Sequence, residues 1–249
     1  MILFIVELQL MYFSRFSCNN IVIATALFIF SSVISAQHGG ISLSQTRIVF
    51  SADKNTQLIT VNNEGEQNYL IQSRVFRDAR LEKTAPFIIT PPLAKIEGGN
   101  KLHQRILFEN ENLPSDRESL FFLSVLAIPG KKQIIGETNT AGQLSMGFRF
   151  IVKLFYRPQS LGVPAADTAC RLEFFHSAKG IEVSNPTPWY QTFSQLTINN
   201  KFVELKDNNS MIAPMSRQYY SWTETADIAK WQTINDYGGL SPLCQQYIK

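Results

Sequence analysis

The chain has 249 residues, of which 45% are hydrophobic and 17% charged, with a formal net charge of +3. This is a globular composition, and the length suits two domains of ordinary size better than one. The cations are scattered along the chain instead of clustered, which argues against a nucleic-acid binder.

The first predicted element is a targeting segment. Residues 21–34 form a nearly uninterrupted apolar run, preceded by Arg15 and followed by Ser35-Ala36. That is the three-part layout of a secretory signal, with cleavage after Ala36. The run is shorter than the ~20 residues of a membrane-spanning helix, so cleavage is preferred to anchoring and no membrane insertion is expected afterwards. Residues 1–10 are a second apolar piece that such signals do not need, and Met11 offers a start that would leave a conventional leader. Cys18 precedes the apolar run and is not placed as a lipid-attachment cysteine.

Past the leader, short apolar runs separated by turn residues dominate, and 18 Phe with 8 Tyr suit β structure. Strands are predicted over 41–50, 57–62, 69–76, 87–90, 102–108, 120–128 and 144–156. Asn62-Asn63-Glu64-Gly65, Pro91-Pro92 and Gly98-Gly99-Asn100 supply turns, and a polar loop runs from 129 to 143. Seven strands without a convincing amphipathic helix is the count of an immunoglobulin-like sandwich. Residues 158–167 read as a linker. The second half repeats the style over 171–175, 181–184, 190–198, 202–205, 219–222 and 231–234, and is read as a smaller β-sandwich. Asn208-Asn209-Ser210 matches a glycosylation sequon, a weak signal.

The most informative stretch lies at the end of the first half. Leu144, Met146, Phe148, Phe150 and Val152 are large and apolar at a strict spacing of two, so a strand would carry them on one face. Two readings follow: an ordinary half-buried strand, or an edge strand whose row is kept for a partner. The cysteines Cys170 and Cys244 remain after cleavage, in an oxidising compartment. They form either one disulfide joining the start and end of the second half or two separate buried thiols. Their wide spacing fits no metal site.

Nothing in the sequence reads as catalytic. His38, His103 and His176 are isolated, no Gly-x-Ser-x-Gly elbow or phosphate-binding glycine loop is present, and no cofactor is implied. An enzyme therefore has no residue to stand on.

Six segments, in order and spacing, resemble the periplasmic pilus chaperones of the PapD-like family. They are Thr46-Arg47-Ile48-Val49-Phe50, Thr90-Pro91-Pro92, Leu113-Pro114-Ser115-Asp116-Arg117-Glu118-Ser119-Leu120-Phe121, Lys153-Leu154-Phe155-Tyr156-Arg157-Pro158, Asn185-Pro186-Thr187-Pro188-Trp189-Tyr190 and Ile234-Asn235-Asp236-Tyr237-Gly238-Gly239. The resemblance implies an all-β fold of two immunoglobulin-like β-sandwich domains set at an angle with a cleft between them. The division would be 1–36 signal peptide, 37–158 first domain and 159–249 second domain. It implies a periplasmic chaperone that binds pilus subunits by donating its edge strand and passes them to an outer-membrane usher. Arg47 and Lys153 would grip the subunit's C-terminal carboxylate. Leu144, Met146, Phe148, Phe150 and Val152 would fill the subunit's groove. Glu118, Arg157 and Asp236 would form an interdomain ion-pair network with a structural role.

The loop 129–143 carries no cysteine pair, which points to the short-loop branch of the family. An unpaired apolar edge is an aggregation hazard, so the free protein is expected to cover it with that loop or by self-association. The competing readings are a secreted immunoglobulin-like module for protein or carbohydrate, a pilus subunit, and a secreted hydrolase. The first has no reason to keep the Arg47 and Lys153 pair, the second would carry one domain, and the third lacks a triad.

Overall fold

The computed structural model describes residues 40–130, 146–206 and 209–249. The leader with Cys18, most of the loop 129–143, Leu144 and Asn208 of the sequon lie outside the described residues.

The first half contains β1 (Ile41–Leu43), β2 (Arg47–Ser51), β3 (Thr56–Asn63), β4 (Tyr69–Phe76), β5 (Phe87–Thr90), β6 (Leu93–Ile96), β7 (Lys101–Phe108), β8 (Ser119–Pro129) and β9 (Phe148–Arg157). They form two sheets, β1-β3-β7-β5 and β2-β9-β8-β4-β6, closed over one apolar core. Alternation decides which side chains enter that core. In β4, Tyr69, Ile71, Ser73 and Val75 are buried while Leu70, Gln72 and Arg74 face out. In β2, Ile48 and Phe50 point inward, which turns Arg47, Val49 and Ser51 outward.

The single predicted strand over 41–50 is in fact two. Ser44, Gln45 and Thr46 break it, so β1 pairs with β3 in one sheet and β2 runs parallel to β9 in the other. Alternation reports the face of a strand and not its neighbour, so this change of sheet left no mark in the apolar pattern. Similarly, Pro91-Pro92 ends β5, but the chain resumes as β6 against β4.

The second half contains β10 (Glu173–Ser177), β11 (Gly180–Asn185), β12 (Gln191–Ile198), β13 (Lys201–Phe202), β14 (Met211–Ile212), β15 (Ser216–Tyr220), β16 (Ile228–Thr233) and β17 (Cys244–Tyr247). Sheets β10-β11-β15 and β13-β12-β16-β17 enclose a second core, with β14 pairing β12. Trp231 is buried there, 4.6 Å from the ring of Phe174, and its Nε1 donates to the Ala169 carbonyl at 2.8 Å. Cys170 and Cys244 form a disulfide that ties the entry of this sandwich to β17. The sequence reading missed β14 and β17 and placed β15 and β16 a few residues late. β14 is two residues long, and β15 and β17 carry little apolar period of their own. Both halves belong to one compact unit, Gly39–Lys249.

Candidate functional site

The site grows from the outward face of β2 and β9. The two strands are parallel, with Arg47 beside Lys153, Val49 beside Phe155 and Ser51 beside Arg157. On β9, Val152 and Leu154 fill the first core, so Lys153, Phe155 and Arg157 share the opposite face. Phe155 and Arg157 are nonetheless buried, because the second half covers that face.

Arg157 is the centre of the covered region. Its Nε and Nη2 donate to Glu118 Oε1 at 2.8 and 2.7 Å, and its Nη1 and Nη2 donate to Asp236 Oδ2 and Oδ1 at 2.8 and 2.9 Å. Glu118 Oε2 also accepts the Tyr190 backbone N–H at 2.9 Å, and the Glu118 N–H donates to the Pro188 carbonyl at 3.0 Å. Each of these bonds except those to Glu118 from Arg157 crosses from one half to the other. Burial pushes the Glu118 carboxyl up, against the opposing pull of Arg157. Burial also works against the Arg157 cation, but its bonds to Asp236 and Glu118 prevail and raise it.

Arg47 lies beside this cluster. Its Nη1 donates to the Ile234 carbonyl at 2.8 Å, and its guanidinium stands 5.5 Å from the centre of the Phe155 ring. Burial lowers its proton affinity, with Asp236 and Glu118 acting in the opposite sense. Arg47 lines two cavities, one of about 250 Å³ that reaches in among second-half residues and one of about 660 Å³ that opens along β2. Lys153 is half-buried next to Arg47 in register, and it lines neither cavity.

The turn that carries Asp236 is held tightly. Asn235 Oδ1 accepts the N–H groups of Tyr237 and Gly239, each at 3.0 Å. Gly238 has φ +83°, and a Cβ there would stand 2.6 Å from Thr46 Oγ1, the neighbour of Arg47. A glycine is needed at this position both for the backbone angle and for the approach.

The apolar row runs along the core-side face of β9. Exposure falls from 66% at Met146 to 50% at Phe148 and 6% at Val152, with Phe150 between. The row is therefore a core that continues past the end of its sandwich. On one side, residues 148–152 pair with β8, Phe148 opposite Ala127 and Val152 opposite Leu123. On the other side β2 pairs only with residues 153–157, so among the described residues no strand flanks 148–152 there.

Sequence reasoning missed the Ile234 carbonyl, the Tyr190 backbone N–H and Phe155 as parts of the site. All three lie inside the quoted segments, but a backbone group has no residue-type signal. Among the described residues no group of His, Cys, Asp and Glu is disposed to hold a metal ion.

Comparison with known proteins decides what this arrangement belongs to. Residues 40–162 match the model of the pili and flagellar-assembly chaperone PapD N-terminal domain, and residues 167–245 that of the pili assembly chaperone PapD C-terminal domain. The chain belongs to the PapD family of pilus-assembly chaperones. It is 36% identical to the chaperone protein FimC of Escherichia coli K12 over 87% of this chain and 88% of that one. Among solved structures, a chain from the complex of the Salmonella enterica SafA pilin with the SafB chaperone is 25% identical. It superposes with a TM-score of 0.73, covering 84% of this chain and 96% of that one. The E. coli chaperone DraB is 29% identical, with a TM-score of 0.71, over 85% of this chain and 97% of that one. The family consists of chaperones, so the chain is a non-enzymatic pilus-assembly chaperone with two immunoglobulin-like domains.

Proposed function

We propose that this chaperone is exported to the periplasm, completes pilus subunits by adding β9 to them, and delivers them to an outer-membrane usher. Residues 1–36 act as the leader, 37–158 as the strand-donating domain and 159–249 as its companion. The single observation that carries the reading is the graded row on β9, half-exposed at Phe148 and bordered by an open ladder edge over 148–152.

A subunit that lacks a strand has unpaired backbone groups and an open core, both costly in water-excluded surroundings. An added strand satisfies the ladder, and its alternate side chains enter the gap. Met146, Phe148, Phe150 and Val152, with Leu144 beyond them, are the side chains assigned to that gap. Each large one stabilises by roughly 1.5–3 kcal/mol when fully buried, offset in part by the cost of ordering two partners.

Arg47 and Lys153 are assigned to the subunit's terminal carboxylate. Their adjacency in the parallel ladder supports this, because two cations side by side on half-covered strands favour one anion between them and set its register. Glu118, Arg157 and Asp236 are assigned to holding the halves in the relation that keeps the site formed. SafB is described in complex with a pilin, and the same partner class is proposed here. When free, the chaperone is proposed to cover the edge by self-association or with its own loop.

The test is hydrogen exchange on the chaperone alone and co-produced with a fimbrial subunit. Amides over 148–152 should gain protection in the complex. Unchanged protection there in a demonstrably intact complex would rule out strand addition by β9.

A further inference from the structure

We infer that Arg149, on the face of β9 turned away from the apolar row, selects among subunits. It meets an Asp or Glu on the subunit strand that pairs along residues 148–152, and so favours subunits that carry a carboxylate there. This rests on the reading of β9 as the added strand, and gives that strand a second, electrostatic face.

The charge of the sheet points to an acidic partner. Strands β2, β9, β8, β4 and β6 contain six cations, Arg47, Arg74, Lys95, Arg149, Lys153 and Arg157, and no Asp or Glu. Carboxylates from outside these strands reach two of the six: Glu118 and Asp236 hold Arg157, and Glu97 holds Lys95. None of the ion pairs among the described residues includes Arg149. A surface of one sign attracts a partner of the other sign and rejects one of its own.

The position of Arg149 narrows that partner to the added subunit. In β9, Val152 is buried and Phe150 half-buried, so alternation sends Arg149 and Ile151 to the outer face, where both are exposed. On the β8 side Arg149 stands opposite Leu126, and Ile151 opposite Ser124. β8 therefore offers it no counter-charge. Along β9 the outer face runs on through Ile151 to Lys153. The remaining side is the one where β2 has ended and no described strand flanks 148–152. A subunit strand added there places one side chain directly opposite Arg149, with Cβ atoms about 5 Å apart.

The surroundings make such a pair count. Leu126 lies on one side of Arg149 and Ile151 follows it on the same face, so a subunit strand on the other side leaves the guanidinium in a seam that is partly dry. A carboxylate can meet it there through two parallel hydrogen bonds. A Lys or Arg opposite would face a like charge in the same seam, which is destabilising. The apolar row suits open grooves in general, whereas Arg149 distinguishes one subunit from another.

The test uses the fimbrial subunit of the hydrogen-exchange experiment. Unfolded subunit is refolded with equal amounts of parent and variant chaperone, and the two complexes are counted by mass. Arg149→Gln should capture about fivefold less subunit than the parent and Arg149→Glu about thirtyfold less, the effects of about 1 and 2 kcal/mol. Both variants should stay folded when free, because the side chain is exposed. Arg149→Lys keeps the charge and adds an amine, so a carbodiimide should join residue 149 to an Asp or Glu of the subunit. The parent, with no amine at 149, controls for links made by other lysines. Equal capture of parent and Arg149→Glu, with 148–152 protected in both complexes, overturns the inference and leaves Arg149 as a charge that guards an open edge against aggregation. A link from Lys at 149 to a carboxylate of the chaperone itself overturns it as well. An intact complex without protection over 148–152 overturns strand addition by β9, and the role of Arg149 with it.

Discussion

Arg157 and Asp236, from the last strand of the first sandwich and a turn of the second, face each other through two hydrogen bonds of 2.8 and 2.9 Å. A planar guanidinium meeting a carboxylate in this way fixes orientation as well as distance. The same guanidinium gives two further donors to Glu118, within its own half. The junction is thus centred on one cation.

Arg157→Ala should be the most damaging change at the junction. It would leave the buried Glu118 and the partly buried Asp236 without their cation, and breaking a buried pair in this way costs about 3–5 kcal/mol. Asp236→Asn should cost less, because that carboxylate keeps contact with water. Urea unfolding of the two variants gives the order, and an Arg157→Ala protein as stable as the parent would refute it.

Glu118 makes the junction sensitive to pH. Burial, opposed by Arg157, places its carboxyl above the ordinary value of 4.5, so the folded state holds the proton more tightly than the unfolded one. The stability from this group is then fully present at low pH and falls as pH rises from 4.5 towards the raised folded value. Glu118→Gln cannot titrate, so its stability carries no contribution from this proton at any pH. The parent's advantage over Glu118→Gln should therefore be largest near about pH 4 and narrow towards about pH 7. An advantage that widens with rising pH would reverse the assignment.

The disulfide Cys170–Cys244 closes a loop of sequence separation 74. On a chain-entropy account this stabilises the second sandwich by about 4 kcal/mol. All three tryptophans lie in that half, so tryptophan fluorescence reports on it selectively. The double variant Cys170→Ser, Cys244→Ser should shift the fluorescence transition to lower urea, while amide exchange in the first core stays as it was. Coincident loss of both would show that the two sandwiches unfold together.

Phe148→Glu should leave the chaperone folded and remove subunit binding. The side chain is half-exposed in the free protein, so the carboxylate stays hydrated there. It could not enter an apolar groove unpaired without a large penalty. Co-purification of a fimbrial subunit with parent and variant decides the matter, and equal recovery would remove Phe148 from the proposed interface.

Gly238→Ala and Gly99→Ala form a matched pair. Both glycines have positive φ, +83° and +73°, but only Gly238 has a close neighbour, Thr46 Oγ1 at 2.6 Å from an added Cβ. Each should incur the backbone cost of about 1–2 kcal/mol, and Gly238→Ala should lose more because the turn must move from Thr46. Equal losses would mean that the turn is not pressed against Thr46.

The sequence by itself determined the β character of both halves and the row on β9. These are local properties, written by alternation, because successive side chains of a strand point to opposite faces. The motif segments also marked Glu118, Arg157 and Asp236. Tertiary structure alone decided that residues 41–50 divide between two sheets and that β2 stops pairing with β9 at Lys153, leaving 148–152 without a neighbour on that side. It alone brought Trp189 and Thr168 to one cavity wall with Arg47. The physical reason is common to all three: which strand lies alongside, and which side chains share a cavity, depend on residues far apart in the chain, and no periodicity within a single segment records them.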